Sequence, residues 1–452
     1  MIRLYDTATQ EIRTLALRSP REVSIYCCGP TVYDVPHLGH GRAALVYDIL
    51  RRYLTFAGLS VMFVSNVTDV DDKILARAAL EGRDAAALAV DYERAWYDAL
   101  AALGVARPDA DPHATAWVGE MISLVADLVD RDIAYPTSRG VFFDVGRVPD
   151  YGLLAHQTLD SLRAGARVEA DPEKRSAPDF ALWKTVGAEE PGWDSPWGWG
   201  RPGWHTECVV MSLGLLGEGF DLHTGGLDLC FPHHENERAQ AVALDRGFAR
   251  HWMHHAFVEV GGQKMSKSLA NFTSLTDLLD RADPRALRLL VLQSHYRSPM
   301  EVTASTIADS ESALARLDNL ARRAANLELS VTAPDEAVMD RFRAAMDNDL
   351  DTPAVAGLMF DLVRAANSAL DSGERPGATV AALTQIAEVL GLSLQQATEG
   401  PDPPTLELVA QRDAARAAKD WATSDRLRSD LESAGWIVED TPAGGRVHRR
   451  LQ

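Results

Sequence analysis

The chain has 452 residues, enough for about three domains of ordinary size. Hydrophobic residues at 46% and charged residues at 24% are the balance of a folded globular protein, which excludes wholesale disorder. Lys+Arg 45 against Asp+Glu 65 leaves a net charge of −20, so a nucleic-acid partner has to meet a local basic face, not bulk positive charge.

Four cysteines (Cys27, Cys28, Cys208, Cys230) are too few for a disulfide scaffold at this size. The opening MIRLYDTATQEIR lacks the apolar run of a secretion signal, and no stretch reaches about 18 uncharged apolar residues. These features predict a protein of the reducing cytoplasm with no membrane segment.

In chain order, EVSIYCC (Glu22 to Cys28) reads as a strand ended by Gly29-Pro30. GRAALVYDILRRYLTFAG then places Leu45, Val46, Ile49, Leu50, Tyr53 and Leu54 at helical spacing, with Gly58 as the stop. Leu59 to Val67 is strand-like again, which predicts a right-handed βαβ unit and a parallel sheet. A second set comprises Gly219 to Leu222, a helix from about Pro232 through Leu244, and the strand Ala256 to Val260. Between the two, roughly 115 to 200, sheet-edge alternation and Pro/Gly/Trp-rich stretches predict an insertion that splits one α/β domain.

From about 304 the chain turns helical, with Ile307, Leu314 and Ala321 seven residues apart. Thr352 as N-cap with Pro353 at N1 starts a second helix, and a third runs from about Ala378 to Gly391. Thr398 to Pro404 reads as a linker. Residues 405 to 452 carry eight Lys/Arg and eight Asp/Glu, so this tail is the part least repulsive to a polyanion.

Three groups of residues carry chemistry. His37-Leu38-Gly39-His40 lies between the first strand and the first helix, where helix N–H groups and the helix dipole face an anion. Gly39 allows a base or ribose to lie on bare backbone, and His37 and His40 can donate to developing phosphate charge. Alone, the motif is equally a capped turn. Lys264-Met265-Ser266-Lys267-Ser268 follows Gly261-Gly262 and brings two mobile cations within reach of a polyphosphate, although a lone lysine pair is also an ordinary surface turn. His233 and Glu237 share one helix face; with Cys28 and Cys208 they supply two thiols, an imidazole and a carboxylate, donors that suit Zn²⁺, though no Cys-x-x-Cys marks the set.

HLGH and KMSKS flanking an interrupted α/β fold form the paired signature of class I aminoacyl-tRNA synthetases. CGPTVYDVPHLGH (Cys28 to His40), NVTDVDDKI (Asn66 to Ile74), DFALWK (Asp179 to Lys184), GRPGWHTEC (Gly200 to Cys208) and FPHHENERAQ (Phe231 to Gln240) narrow the match, and the chain closely resembles cysteinyl-tRNA synthetase over almost its whole length. Leu38 stands where isoleucine is commoner, and Thr224 replaces a usual glycine.

The resemblance implies a Rossmann-like catalytic domain (1–115 and 201–255) split by a connective insertion (116–200). A stem-contact region with the KMSKS loop (256–303), a helix bundle (304–397) and a C-terminal anticodon-recognition domain (405–452) follow. It implies a monomer that activates L-cysteine with ATP and Mg²⁺, then passes the cysteinyl group to the 3′ end of the cysteine tRNA. The family's zinc ligands fall on Cys28, Cys208, His233 and Glu237; its nucleotide motifs fall on His37, Gly39, His40, Lys264 and Lys267; its amino-acid pocket matches Thr68, Trp204, His205 and Asp228. A zinc that takes the substrate thiolate separates cysteine from serine by softness, where shape alone is worth only about 1–3 kcal/mol. Since four protein ligands ordinarily close a zinc site, admitting that sulfur requires a fifth position or release of Glu237. The alternative is the related cysteine:glucosaminyl-inositol ligase of mycothiol synthesis, which makes the same adenylate; GPTVYD and the charge-balanced tail argue against it.

Overall fold

The computed structural model describes residues 1–161, 173–260, 263–264, 274–327, 329, 332–395, 403–441 and 444–449. A hairpin, β1 (Arg3–Asp6) and β2 (Glu11–Thr14), precedes the first strand of the main sheet, β3 (Glu22–Cys27). Val23 to Cys27 are all buried, as a central parallel strand covered on both faces requires. Helix α1 (Leu38–Phe56) packs Leu45, Ile49, Leu50, Tyr53 and Leu54 inward, and Gly58, at φ +87°, turns the chain into β4 (Ser60–Ser65). Burying each such side chain contributes about 1.5–3 kcal/mol.

Helices α2 (Asp72–Glu81), α3 (Ala85–Ala102) and α4 (Val118–Asp130) follow. An antiparallel sheet of β5 (Ala134–Thr137), β6 (Gly140–Phe143), β7 (Phe180–Thr185) and β8 (Gly200–Pro202) comes next. Helix α5 (Trp204–Leu216) leads back to β9 (Leu222–Gly226), and α6 (Glu235–Ala243) to β10 (Trp252–His255). The main sheet has the order β10-β9-β3-β4, all parallel. From β3 the chain builds outward to β4 on one side and later to β9 and β10 on the other. The crevice between the carboxyl ends of β3 and β9 is therefore a topological switch point, where open α/β sheets bind ligands.

Short strands β11 (Val258–Val260), β12 (Gln263–Lys264) and β13 (Met300–Glu301) form a small sheet beside this edge. Helices α7 (Leu275–Leu279) and α8 (Pro284–Gln293) lie between β12 and β13. A bundle of α9 (Ala304–Asn326), α10 (Glu336–Asp347), α11 (Thr352–Asp371) and α12 (Gly377–Val389) follows; Ile307, Leu314, Leu317 and Ala321 face inward along α9. Finally α13 (Pro403–Ala417), α14 (Trp421–Ser433) and the hairpin β14 (Trp436–Thr441) and β15 (Gly444–Arg449) close on a separate small core of Val409, Leu431, Trp436, Val438 and Val447. Among the described residues no helix is long and apolar enough to cross a membrane, and all four cysteines are free.

Several boundaries differ from those read off the sequence. Helix α1 starts at Leu38, so HLGH is its first turn and not a loop before it. Asp351, not Thr352, caps α11, because its carboxylate accepts the Ala354 N–H at 3.1 Å; Thr352 is the first helical residue. The helix expected from Pro232 is broken, with non-helical backbone at Phe231 and a regular helix only from Glu235. Thr224 sits in β9 fully buried, its hydroxyl donating to the Tyr26 carbonyl at 3.3 Å.

Two buried arginines join the layers. Arg288 on α8 meets Asp48 of α1 at 2.7 Å and donates to the carbonyls of Leu390, Leu103 and Gly104, tying the end of α12 to α1 and to the end of α3. Losing either charged partner of such a buried pair costs about 3–5 kcal/mol. Arg42 on α1, 1% exposed, donates to five backbone carbonyls: Ala256 (2.9 Å), Phe257 (2.6 Å), His295 (3.2 Å), Tyr296 (3.3 Å) and Ser298 (2.5 Å). The helix carrying HLGH is thereby fastened to the segment that leads into β11 and to the turn before β13.

Candidate active site

At the switch point a cavity of about 640 Å³ opens, running from Cys28 and Trp204 at one end to His37, Gly39, His40 and the 255–258 segment at the other. That volume lies in the range of ordinary small-molecule sites.

The His37 end is built locally. His37 is the N-cap of α1: its Nδ1 accepts the His40 backbone N–H at 3.2 Å, while His40 Nδ1 accepts the His37 N–H at 3.3 Å. The two rings stack at 3.6 Å with 16° between planes. This reciprocal capping box occupies both Nδ1 lone pairs, so each neutral ring carries its proton on Nε2 and each is a donor there. A backbone bridge pairs His37 with Ser274, the cap of α7. Lys264 lies on β12, paired with Glu259; Gly261-Gly262, Met265, Ser266, Lys267 and Ser268 lie outside the described residues.

The opposite end is built from distant segments. Cys28 follows the last residue of β3, Cys208 lies on α5, His233 on the broken turn and Glu237 on α6. Their donor atoms converge: Cys28 Sγ to Cys208 Sγ 3.7 Å, Cys28 Sγ to Glu237 Oε1 3.5 Å, Cys208 Sγ to His233 Nε2 3.7 Å, and His233 Nε2 to Glu237 Oε1 3.1 Å. Ligands about a tetrahedral Zn²⁺ with bonds of ~2.0–2.3 Å stand about 3.3–3.8 Å apart; three of these four distances lie in that range and the fourth, His233 to Glu237, falls just below it, so the residues suit the ion. A second grouping, Cys28, His223, His234 and Glu237, is equally compact. It fits less well, because His223 Nε2 lies 2.7 Å from Glu237 Oε2, a hydrogen bond and not an edge of a coordination shell.

Residues behind the four donors fix them. His205 Nδ1 meets His233 Nδ1 at 2.8 Å, which leaves Nε2 of His233 turned to the cluster. Trp204 stacks on the His233 ring at 3.9 Å and 20°. His223 holds the second oxygen of Glu237, and His234 runs back through His254 (2.8 Å) to Thr7 (2.7 Å). Burial pushes the Cys28 and Cys208 thiols up and the His233 imidazole well down, and burial pulls His205 down to about 3. His233 and His205 are thus neutral, the form that can ligate or hold a ligand. Close approach requires glycine at two points: a Cβ on Gly29 would lie 1.6 Å from the Asn66 carbonyl oxygen, and one on Gly225 would lie 2.7 Å from the His234 ring.

The four residues matched to the amino-acid pocket divide. Trp204 and Asp228 line the cavity. Thr68 does not; it is buried and donates to Glu207 Oε2 at 2.7 Å. His205 stands behind His233. Sequence reasoning missed His223, His234 and Glu207 as parts of the site. The His-Thr-Gly-Gly, His-His and His-Thr-Glu-Cys strings were the available signals, but nothing local says which histidine faces the cluster.

A sequence profile described as tRNA synthetases class I (C) catalytic domain matches residues 14–312, a DALR domain matches 341–395, and a cysteinyl-tRNA ligase anticodon binding domain matches 400–450. The fold is shared with Mycobacterium tuberculosis methionyl-tRNA synthetase in complex with methionyl-adenylate: TM-score 0.63, 17% identity, covering 82% of this chain and 89% of that one. The chain is therefore an enzyme of the class I aminoacyl-tRNA synthetases, with their α/β Rossmann-like fold and helical C-terminal part. Relatives are closer still. The cysteine–tRNA ligase of Streptomyces coelicolor A3(2) is 42% identical over 460 residues, 98% of this chain and 75% of that protein. The Halorhodospira halophila cysteine–tRNA ligase is 42% identical over 462 residues, 99% of this chain and 100% of that protein. The chain belongs to the cysteine–tRNA ligase family.

Proposed function

We propose that the two ends of the cavity divide one reaction between them: sulfur recognition at the cysteine cluster and ATP activation at HLGH. Cysteine enters with its side chain toward Cys28, Cys208, His233 and Glu237, which would hold Zn²⁺. When bound, that ion offers a soft Lewis acid for a thiolate, and serine's hydroxyl is a poor substitute. His233 keeps its proton on Nδ1, donated to His205, so Nε2 remains a lone-pair donor; His223 keeps Glu237 aimed through Oε1. Trp204 and Asp228 bound the cavity around the amino acid.

The substrate carboxylate then attacks the α-phosphorus of ATP, accompanied by Mg²⁺. No protein nucleophile is required; alignment and charge stabilisation suffice. The Nε2–H donors of His37 and His40 meet charge growing on the α-phosphate, Gly39 lets the nucleotide approach bare backbone, and Lys264 and Lys267 hold the departing pyrophosphate. A ribose hydroxyl at the 3′ end of the cysteine tRNA then attacks the cysteinyl carbonyl and AMP leaves; the anticodon of that tRNA is met by residues 405–452. Residues 116–200 serve as the connective insertion within catalytic halves 1–115 and 201–255, residues 256–303 as the stem-contact region and 304–397 as the bundle. The enzyme acts as a cytoplasmic monomer.

One observation carries this reading: four donors from residues 28, 208, 233 and 237 converge at zinc spacing, and one of them, Cys28, lines the cavity that also holds the HLGH cap. The test is charging of the cysteine tRNA with cysteine, with serine as competitor, a chelator control and glucosaminyl-inositol as rival acceptor. Charging of tRNA that a chelator abolishes and zinc restores supports the reading. Cysteine transfer to the amino sugar alone, or charging indifferent to metal removal, overturns it.

A further inference from the structure

Lys73 is the second residue of α2 and its side chain borders the active cavity at the cysteine-cluster end. Its ammonium lies over two aromatic faces, 5.6 Å from the Tyr33 ring centroid and 5.8 Å from that of Trp204. The acids beside it are otherwise engaged. Asp71 caps α2 by accepting the Lys73 backbone N–H at 2.8 Å, Asp72 pairs with Lys184 (2.7 Å) and Arg201 (2.9 Å), and Asp69 accepts from Thr115 through both oxygens. Among the described residues no carboxylate oxygen comes within 4.0 Å of the Lys73 ammonium to form an ion pair.

A cation between two half-exposed rings at the mouth of a catalytic cavity is the arrangement with which proteins hold single-stranded nucleic acid: charge for the backbone, rings for the bases. Its place in the cavity separates it from the ATP machinery. On the proposed reading ATP is activated at the His37 end, whereas Trp204 and with it Lys73 stand against His233, one of the four proposed metal ligands. The acceptor strand has to enter at this cysteine end to reach the cysteinyl carbonyl.

We infer that Lys73, flanked by Tyr33 and Trp204, receives a backbone phosphate of the single-stranded 3′ end of the acceptor RNA and positions it for transfer. The inference rests on the reading of this site as a tRNA-charging one. It assigns Lys73 to the second half-reaction, not to adenylate formation.

The experiment measures both half-reactions on the zinc-loaded full chain: cysteine-dependent ATP–pyrophosphate exchange, and single-turnover transfer from preformed cysteinyl-adenylate to tRNA. With Lys73→Ala, transfer falls at least tenfold through a higher KM for tRNA, exchange changes less than twofold, and Lys73→Arg restores most of the loss. The slope of log affinity for tRNA against log salt becomes shallower by about 0.7, the share of one single-strand phosphate. A purely packing role for Lys73 would leave that slope unchanged. Exchange falling in step with transfer, with a raised KM for cysteine, overturns the inference in favour of a contact to the substrate carboxylate; so does transfer at the wild-type rate. Wild-type protein that activates cysteine but charges no tRNA defeats the functional reading itself, a separate outcome.

Discussion

The two ends of the site fix their imidazoles by opposite means. At the HLGH end His37 and His40 are three residues apart and fix each other by reciprocal capping at 3.2 and 3.3 Å. At the Cys28 end His233 is fixed by His205, Trp204 and Cys208 of α5 and by Glu237 of α6, two helices separated in the chain. A local device is set once a helix starts, whereas a distributed one exists only after the whole domain has closed. The first tolerates distant change and the second does not.

The sharpest way to break this comparison is Cys208→Ala. It removes one of four donors, so bound zinc should fall from one per chain toward none and cysteine-dependent exchange should drop more than ~10³-fold. Metal analysis beside the exchange assay checks both. His40→Ala should cost less, about 10²-fold in exchange, the value of one donor to developing charge, with zinc content unchanged. If zinc fell too, the two ends would not be independent. His205→Phe leaves all four donors in place but removes the group that orients His233; metal affinity should weaken about 10–100-fold in a competitive chelator titration while zinc-saturated activity recovers.

The smallest effect lies outside the cavity. Partial burial acts against the ionised Asp72, but Lys184 and Arg201 outweigh it and hold its carboxyl below the usual value of 3.8. A carboxyl depressed in the folded state contributes stability above its unfolded value and loses it as pH falls through the folded one. Asp72→Asn should therefore cost at most about 1 kcal/mol near neutrality, since the pair is exposed enough to be screened, and should flatten the acid limb of the stability curve below about pH 4. Thermal melts across that pH range measure it.

What could be read from the chain follows the same division. The α/β architecture was legible because β3, α1 and β4 are regular and consecutive, and their periodicities are local. HLGH could be placed next to α1 but not inside it, because histidine is an uncommon cap and only the two mutual hydrogen bonds reveal the box. The four sulfur, nitrogen and oxygen donors could be nominated from their chemistry, and the structure brings them together. His233 was named through its four-residue spacing to Glu237 and joins that cluster, although the break at Phe231 shows that the two do not share one regular helix. The placing of Thr68 behind Glu207, away from the cavity, was equally invisible, since it depends on a contact across 139 positions.

The five-carbonyl anchorage of Arg42 sets an order of disassembly. Carboxylate latches such as Asp72 let go when they take up protons, but peptide oxygens remain unprotonated throughout the accessible acid range. On acidification the antiparallel sheet of β5 to β8 should loosen from α2 first, while the HLGH helix stays joined to β11. A partly opened chain would then keep the helix-capped end of the cavity assembled after the latch at Asp72 has released.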